Sequence, residues 1–165
     1  MKIYKSNVVL DNVGVMTSIL DDVTYDGDLT MSYDRYNIFG LTSPTQVFYD
    51  LFNELRGFVY DYTDADQLWM QAWLNRHMPE DVLPWHDHAW PIHGYISIRP
   101  FNTTTVFEDF EIQNEVGNVY IGPGYMKHKV VVNEPFTTPR LTIGFDLLHE
   151  PSRYSANLGL IPFPK

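Results

Sequence analysis

Three of the six histidines in this 165-residue chain fall within eight residues, in Trp85-His86-Asp87-His88-Ala89-Trp90-Pro91-Ile92-His93. In an extended strand residues i and i+2 share a face, so His86 and His88 project together and Asp87 points away. Two imidazoles side by side supply two legs of a metal site, and a third must come from elsewhere in the fold. His128 is the natural third: it follows the turn Gly122-Pro123-Gly124-Tyr125 and opens the apolar stretch to Val132. Taken alone, between Lys127 and Lys129, it would read as a surface residue. The chain has no cysteine. A metal here is therefore held by imidazole, carboxylate or water, a donor set that suits first-row divalent ions.

A second chemical signal follows. In Arg140-Leu141-Thr142-Ile143-Gly144-Phe145-Asp146-Leu147 one face carries Leu141, Ile143, Phe145 and Leu147, the other Arg140, Thr142, Gly144 and Asp146. The apolar set can pack against the body of the protein, leaving the small and polar set to line a cavity. An arginine facing a cavity calls for an anion, and its planar fork fits a carboxylate. A surface salt bridge is the plainer reading of Arg140 alone.

The elements that must position these residues are mostly strands. Leu68 to Asn75 alternates, with Leu68, Met70, Ala72 and Leu74 on one face and Trp69, Gln71, Trp73 and Asn75 on the other. Further strands are expected near 92–99, 104–113, 117–121, 127–133 and 139–147, separated by Pro, Gly and Asn. One helix precedes them. Ser43-Pro44-Thr45-Gln46 reads as a capping box with Pro at the first helical position, and Val47, Phe48, Leu51, Phe52, Leu55, Phe58 and Val59 form an apolar stripe. Gly57 is expected to end or weaken its last turn. The segment from Asp22 to Phe39 reads as an irregular surface stretch or lid, with Asp26-Gly27-Asp28 as a turn. Short strands after one or two N-terminal helices indicate a single jelly-roll domain over 1–165, a double-stranded β-helix with its core barrel at 68–147.

His86-Asp87-His88, then His128, then Arg140 with Thr142, resembles the iron(II)/2-oxoglutarate-dependent oxygenases, whose motif is His-x-Asp/Glu, a distal His and a basic residue about ten positions on. Trp73-Leu74-Asn75 and Gly94-Tyr95 resemble a phage and bacterial branch with a W-x-N strand and an H-x-H-x(4)-S-G-x-Y segment. The resemblance implies iron(II) at His86, His88 and His128. It implies 2-oxoglutarate chelating that iron, with its far carboxylate on Arg140, helped by Thr142 and by Asn75 or Tyr95. His93 and Asp87 are expected beside the metal without binding it. The chain departs from the pattern in two places. His88 replaces the usual carboxylate. His93 stands where the branch has Ser, with Tyr95 directly after Gly94. His86-x-His88-x(4)-His93, Gly117-x(5)-Pro123 and His128 also resemble the two cupin motifs, with His93 in place of Glu and Tyr125 in place of Gly. Cupins do not require Arg140.

The resemblance implies hydroxylation of a small-molecule or peptidyl substrate. The alternatives are a cupin-type dioxygenase or isomerase, or a non-catalytic structural or virion-associated metal protein, for which an acidic surface with 11 Tyr would suit protein partners. A net charge of −10 disfavours nucleic acid. No apolar stretch approaches membrane-spanning length, and the start carries no long apolar run, so the chain is expected in a cytoplasm, a host's if phage-encoded. No P-loop, G-x-G-x-x-G or G-x-S-x-G is present. Glu108, Asp109, Glu111 and Glu115 read as solvated, and His77 and His149 as surface residues. Trp85 and Trp90 read as pocket walls or as packing beside the site.

Overall fold

The computed structural model describes residues 1–23, 36–81, 83–155 and 159–165, with the Tyr154 side chain excepted. Three helices, α1 (Asn7–Asp22), α2 (Ile38–Thr42) and α3 (Gln46–Tyr62), follow a first strand, β1 (Lys2–Lys5). Eight more strands complete it: β2 (Gln67–His77), β3 (Ile92–Arg99), β4 (Thr103–Phe107), β5 (Glu111–Gln113), β6 (Asn118–Pro123), β7 (His128–Val132), β8 (Arg140–Leu148) and β9 (Ile161–Pro164).

The strands form two antiparallel sheets, a large one ordered β1-β6-β3-β8-β2-β9 and a small one ordered β5-β4-β7. Beyond β7 the small sheet continues as an irregular segment. There Val130 N–H donates to the Leu83 carbonyl at 3.1 Å, and His86 and His128 form an isolated bridge. From β2 onward the chain passes back and forth between the sheets, which is the winding of a double-stranded β-helix.

Parity places the core. Leu68, Met70, Ala72 and Leu74 of β2, Ile96 and Ile98 of β3, Val119 and Ile121 of β6, and Leu141, Ile143, Phe145 and Leu147 of β8 all point out of the barrel. They pack on Val9, Met16 and Leu20 of α1, Phe39 of α2, and Phe48, Leu51, Leu55 and Val59 of α3. Each of these side chains except Ala72 contributes roughly 1.5–3 kcal/mol on burial. The main apolar core thus lies between the large sheet and the helices, and a smaller cluster of Tyr95, Phe107, Ile112 and Tyr120 shares the barrel interior with the polar residues.

The helices differ from the sequence reading in instructive ways. Helix α1 carries little local signal, because Val8, Val9, Val13 and Val15 are weak helix formers. It is set by tertiary contacts. Ser6 accepts from Val9 N at 3.0 Å and donates to Glu54 of α3, whose carboxylate also accepts from Asn7 N at 2.9 Å. The Arg99 fork holds Asp21 near its other end by two 2.8 Å bonds. The capping box at Ser43 does not form: Ser43 caps the end of α2 by donating to the Phe39 carbonyl, and α3 starts only at Gln46. Gly57 does not end α3. It is exposed, and its cost of about 1 kcal/mol is outweighed by the four buried anchors on the other face.

The strand expected over 104–113 is a hairpin, because Phe107 N–H bonds to the Phe110 carbonyl at 2.8 Å and their rings stack. Most of the 22–39 stretch, with Asp26-Gly27-Asp28, lies outside the described residues, but Ile38 and Phe39 are buried core and not surface. Among the described residues no helix is long and apolar enough to cross a membrane.

Phe145 fills the centre of this core with no exposure. Phe145→Ala is expected to cost about 3–5 kcal/mol in urea unfolding; a loss below about 1 kcal/mol would mean the sheet–helix core is not the main source of stability.

Candidate metal centre

The two sheets enclose a cavity of about 440 Å³. Its floor is the inner face of the large sheet, where register sets residues in rows. Gln71, Asp146 and His93 form one row; Trp73, Gly144, Tyr95 and Tyr120 the next; then Asn75, Thr142 and Ser97; and last His77 and Arg140. Trp73 lies across bare Gly144, where an added Cβ would meet its ring at 2.5 Å.

His86 and His88 do not lie in a regular strand, contrary to the expectation. Their segment is pinned at points: His86 N donates to the His128 carbonyl at 3.0 Å, His128 N returns to the His86 carbonyl at 2.9 Å, and His88 N donates to the Gly124 carbonyl at 2.9 Å. Gly124 is required there, since a Cβ would sit 1.9 Å from the Trp90 carbonyl oxygen. The alternation still holds, with Asp87 exposed between two partly buried imidazoles.

The proton positions follow from the acceptors. Nδ1 of His86 is 2.7 Å from the Pro84 carbonyl oxygen, and Nδ1 of His128 is 3.0 Å from that of Met126. Nδ1 of His88 is 3.2 Å and Nδ1 of His93 2.9 Å from the Asp146 carboxylate. Carbonyls and carboxylates only accept, so each Nδ1 carries the proton and each Nε2 keeps its lone pair. The His88 Nε2 is buried with no hydrogen-bond partner. Burial draws the His93 pKa down to about 4 and that of His128 to about 3, and lowers His86 as well. Burial alone would raise the Asp146 carboxyl, but the N–H groups of His88 and His93 outweigh it and hold it well below the usual range. With His93 neutral and Asp146 ionised, their contact is a hydrogen bond between imidazole and carboxylate rather than a salt bridge.

One ring nitrogen from each of His86, His88 and His128 lies within 4.8 Å of the others. Metal–nitrogen bonds of about 2.0–2.1 Å would draw the set together. The donor set and the orphaned Nε2 of His88 fit a divalent first-row ion. A second group, His88, His93 and Asp146, is equally close but does not fit. His88 and His93 stack face to face, centroids 3.6 Å apart and planes within 11°. A metal in the plane of one ring lies far out of the plane of the other, so the two do not share an ion as placed.

At the far end of the floor Arg140 is 3% exposed, and its Nε has no partner. Burial lowers its pKa to about 10, which leaves it charged at neutral pH. Thr142 Oγ1 accepts from Asn75 Nδ2 at 3.3 Å and from Arg140 Nη1 at 3.4 Å, so its own hydrogen remains to be donated. Asn75 is otherwise occupied by the Trp73 indole N–H, at 3.1 Å. Tyr95 lines the cavity but donates to Asn114 Oδ1 at 3.2 Å, which also holds Thr105. It offers an anion no proton.

Two expectations need correction. His77 is buried opposite Arg140, not on the surface, because β2 runs two residues further than its alternation indicated; His149 is exposed. The wall of the cavity is Trp73 rather than Trp85, which is 47% exposed with Lys129 over its ring. Asp146 was visible in the sequence only as a member of the polar face of its strand.

No family model matches the chain, and no curated protein matches it. Among solved structures it is similar to a cupin-2 domain protein from Shewanella frigidimarina NCIMB 400 (23% identity, TM-score 0.36, covering 50% of this chain and 71% of that one). It is also similar to a cupin superfamily protein from Desulfitobacterium hafniense DCB-2 (13% identity, TM-score 0.39, covering 48% and 67%). A third is an RmlC-like cupin protein from Ralstonia eutropha JMP134 (10% identity, TM-score 0.37, covering 59% and 68%).

The buried neutral histidines set a pH dependence. Unfolded, they take up protons below about pH 6.5; folded, His93 and His128 do so only near 4 and 3. Between these limits the unfolded chain holds more protons, so their contribution is complete above pH 6.5 and is lost as the pH falls. Scanning calorimetry of metal-free protein should show the thermal midpoint dropping from pH 7 to 4, less steeply for His128→Asn. An equal slope in that variant would contradict a buried, neutral His128.

Proposed function

We propose that the protein is a mononuclear metalloenzyme of the double-stranded β-helix class, acting on or with a small organic acid. One divalent first-row metal sits on Nε2 of His86, His88 and His128, and Arg140 anchors the acid's carboxylate. The observation that carries this reading is Arg140, buried and charged at the cavity floor with an unpartnered Nε. A guanidinium is costly to bury without an anion, and the free hydrogen of Thr142 provides a further donor beside it.

When bound, the metal would supply Lewis acidity or oxygen activation. The chain's own part would be to present the lone pairs of His86, His88 and His128 to the ion and to exclude water with Trp73, Leu83 and Val130. In the oxygenase form of this reading the metal is iron(II) and the acid is 2-oxoglutarate, with a small-molecule or peptidyl co-reactant. In the cupin-type form the carboxylate belongs to the substrate itself. Three neutral imidazoles in place of two imidazoles and an acid favour the cupin-type form, since the first ring of ligands brings no negative charge.

The test is thermal. Nickel or anaerobic iron(II) should bind one per chain, and His128→Ala should lose it while His149→Ala does not. A carboxylic acid that bridges metal and arginine, 2-oxoglutarate first among those tried, should raise the midpoint only with metal present and in proportion to the logarithm of its concentration. Arg140→Ala should keep the metal and lose the acid-dependent shift; Arg140→Lys should weaken it, because a point charge lacks the fork. A wild-type protein that takes up no metal, or acid shifts that survive Arg140→Ala, would refute the proposal.

A further inference from the structure

We infer that Asp146 is the positioning residue of this centre: it fixes His88 through Nδ1 and brings, one hydrogen bond away from the metal, the negative charge that a ligating carboxylate would bring directly. The inference rests on the metal position proposed above.

The three candidate ligands are not held alike. His86 and His128 each place Nδ1 on a backbone carbonyl, a neutral acceptor. Only His88 leans on a charged one, with Nδ1 3.2 Å from both oxygens of Asp146. His88 is also the residue that stands where the His-x-Asp/Glu pattern has its acid. The charge absent from that position therefore sits on the strand below it, on a residue with no solvent exposure. A carboxylate on Nδ1 orients an imidazole and makes its Nε2 a stronger donor to a metal.

The same view gives the fourth histidine a task. A buried carboxylate needs more than one N–H. His93 faces Asp146 directly across the β3–β8 pair, gives it a 2.9 Å bond, and stacks on His88 at 3.6 Å. It thereby gives Asp146 a second N–H and holds the His88 ring from one side. Asparagine is a poor substitute: with its oxygen where both His93 and His88 reach it, its NH2 replaces the second oxygen and meets the His88 Nδ1–H donor to donor.

It follows that the charge can sit next to the metal or one bond out, but not in both places. Cobalt(II) is the probe: its affinity is read by competition with a chromophoric chelator, its coordination by the visible spectrum. Asp146→Asn should bind cobalt(II) about 10–100-fold more weakly with a changed spectrum. His88→Asp alone should bind poorly, since two carboxylates then meet, whereas His88→Asp with Asp146→Asn should bind better than either single variant. A folded Asp146→Asn protein with wild-type affinity and spectrum overturns the inference, as does a double variant no better than the singles. If Asp146→Asn and the double variant both fail to fold, Asp146 serves the fold and not the centre, and the inference is likewise overturned. A wild-type protein that binds no cobalt(II) instead removes the proposed metal site.

Discussion

Strand β8 is buried along its whole length, and the pleat sends alternate residues to opposite sides. Leu141, Ile143, Phe145 and Leu147 are drawn outward by the helices. Arg140, Thr142, Gly144 and Asp146 are thereby turned to the inner face of the sheet. A slip of one residue would exchange the two sets and bury the charges in the core, so the register is strongly fixed. The centre depends on that commitment. Their partners on that face include histidines for Asp146, Asn75 for Thr142 and, for Arg140, a neutral hydroxyl.

The histidines illustrate what such enclosure does to a titratable group. In water an imidazole exchanges tautomers and gains a proton near neutrality. Here two carbonyls and one shared carboxylate hold the Nδ1–H groups of His86, His88, His93 and His128, and burial keeps His93 and His128 uncharged. The lone pairs are then fixed in direction before any ion arrives. The ordering is done during folding by the sheet–helix core, so little of it remains to be done on binding.

Alternation made β2, β8 and the two-faced character of the floor legible in the sequence, and the i, i+2 spacing of His86 and His88 marked a shared face. Other parts were hidden for physical reasons. Helix α1 is rich in valine and draws its stability from Glu54 and Arg99, far along the chain, which no local pattern contains. The His86–His88 segment has the spacing of a strand but only an isolated bridge, because the turn at Gly124 presses into it. Asp146 lies 58 residues beyond His88; its parity with Arg140 announced the cavity, but its role needed the register of β3 against β8. Tyr95 was expected to aid an anion, and only the fold reveals that its hydroxyl already donates to Asn114.

The claim on which the rest turns is that the metal-free protein already holds its imidazoles with the proton on Nδ1 and a lone pair on Nε2. Long-range proton–nitrogen correlation NMR on protein labelled with nitrogen-15 in its histidines reads this directly at neutral pH. The account predicts that His86, His88, His93 and His128 each show a protonated Nδ1 and an unprotonated Nε2, while exposed His149 shows averaged or Nε2-protonated signals. A protonated Nε2 on His86, His88 or His128, or shifts averaged as in free imidazole, would contradict it.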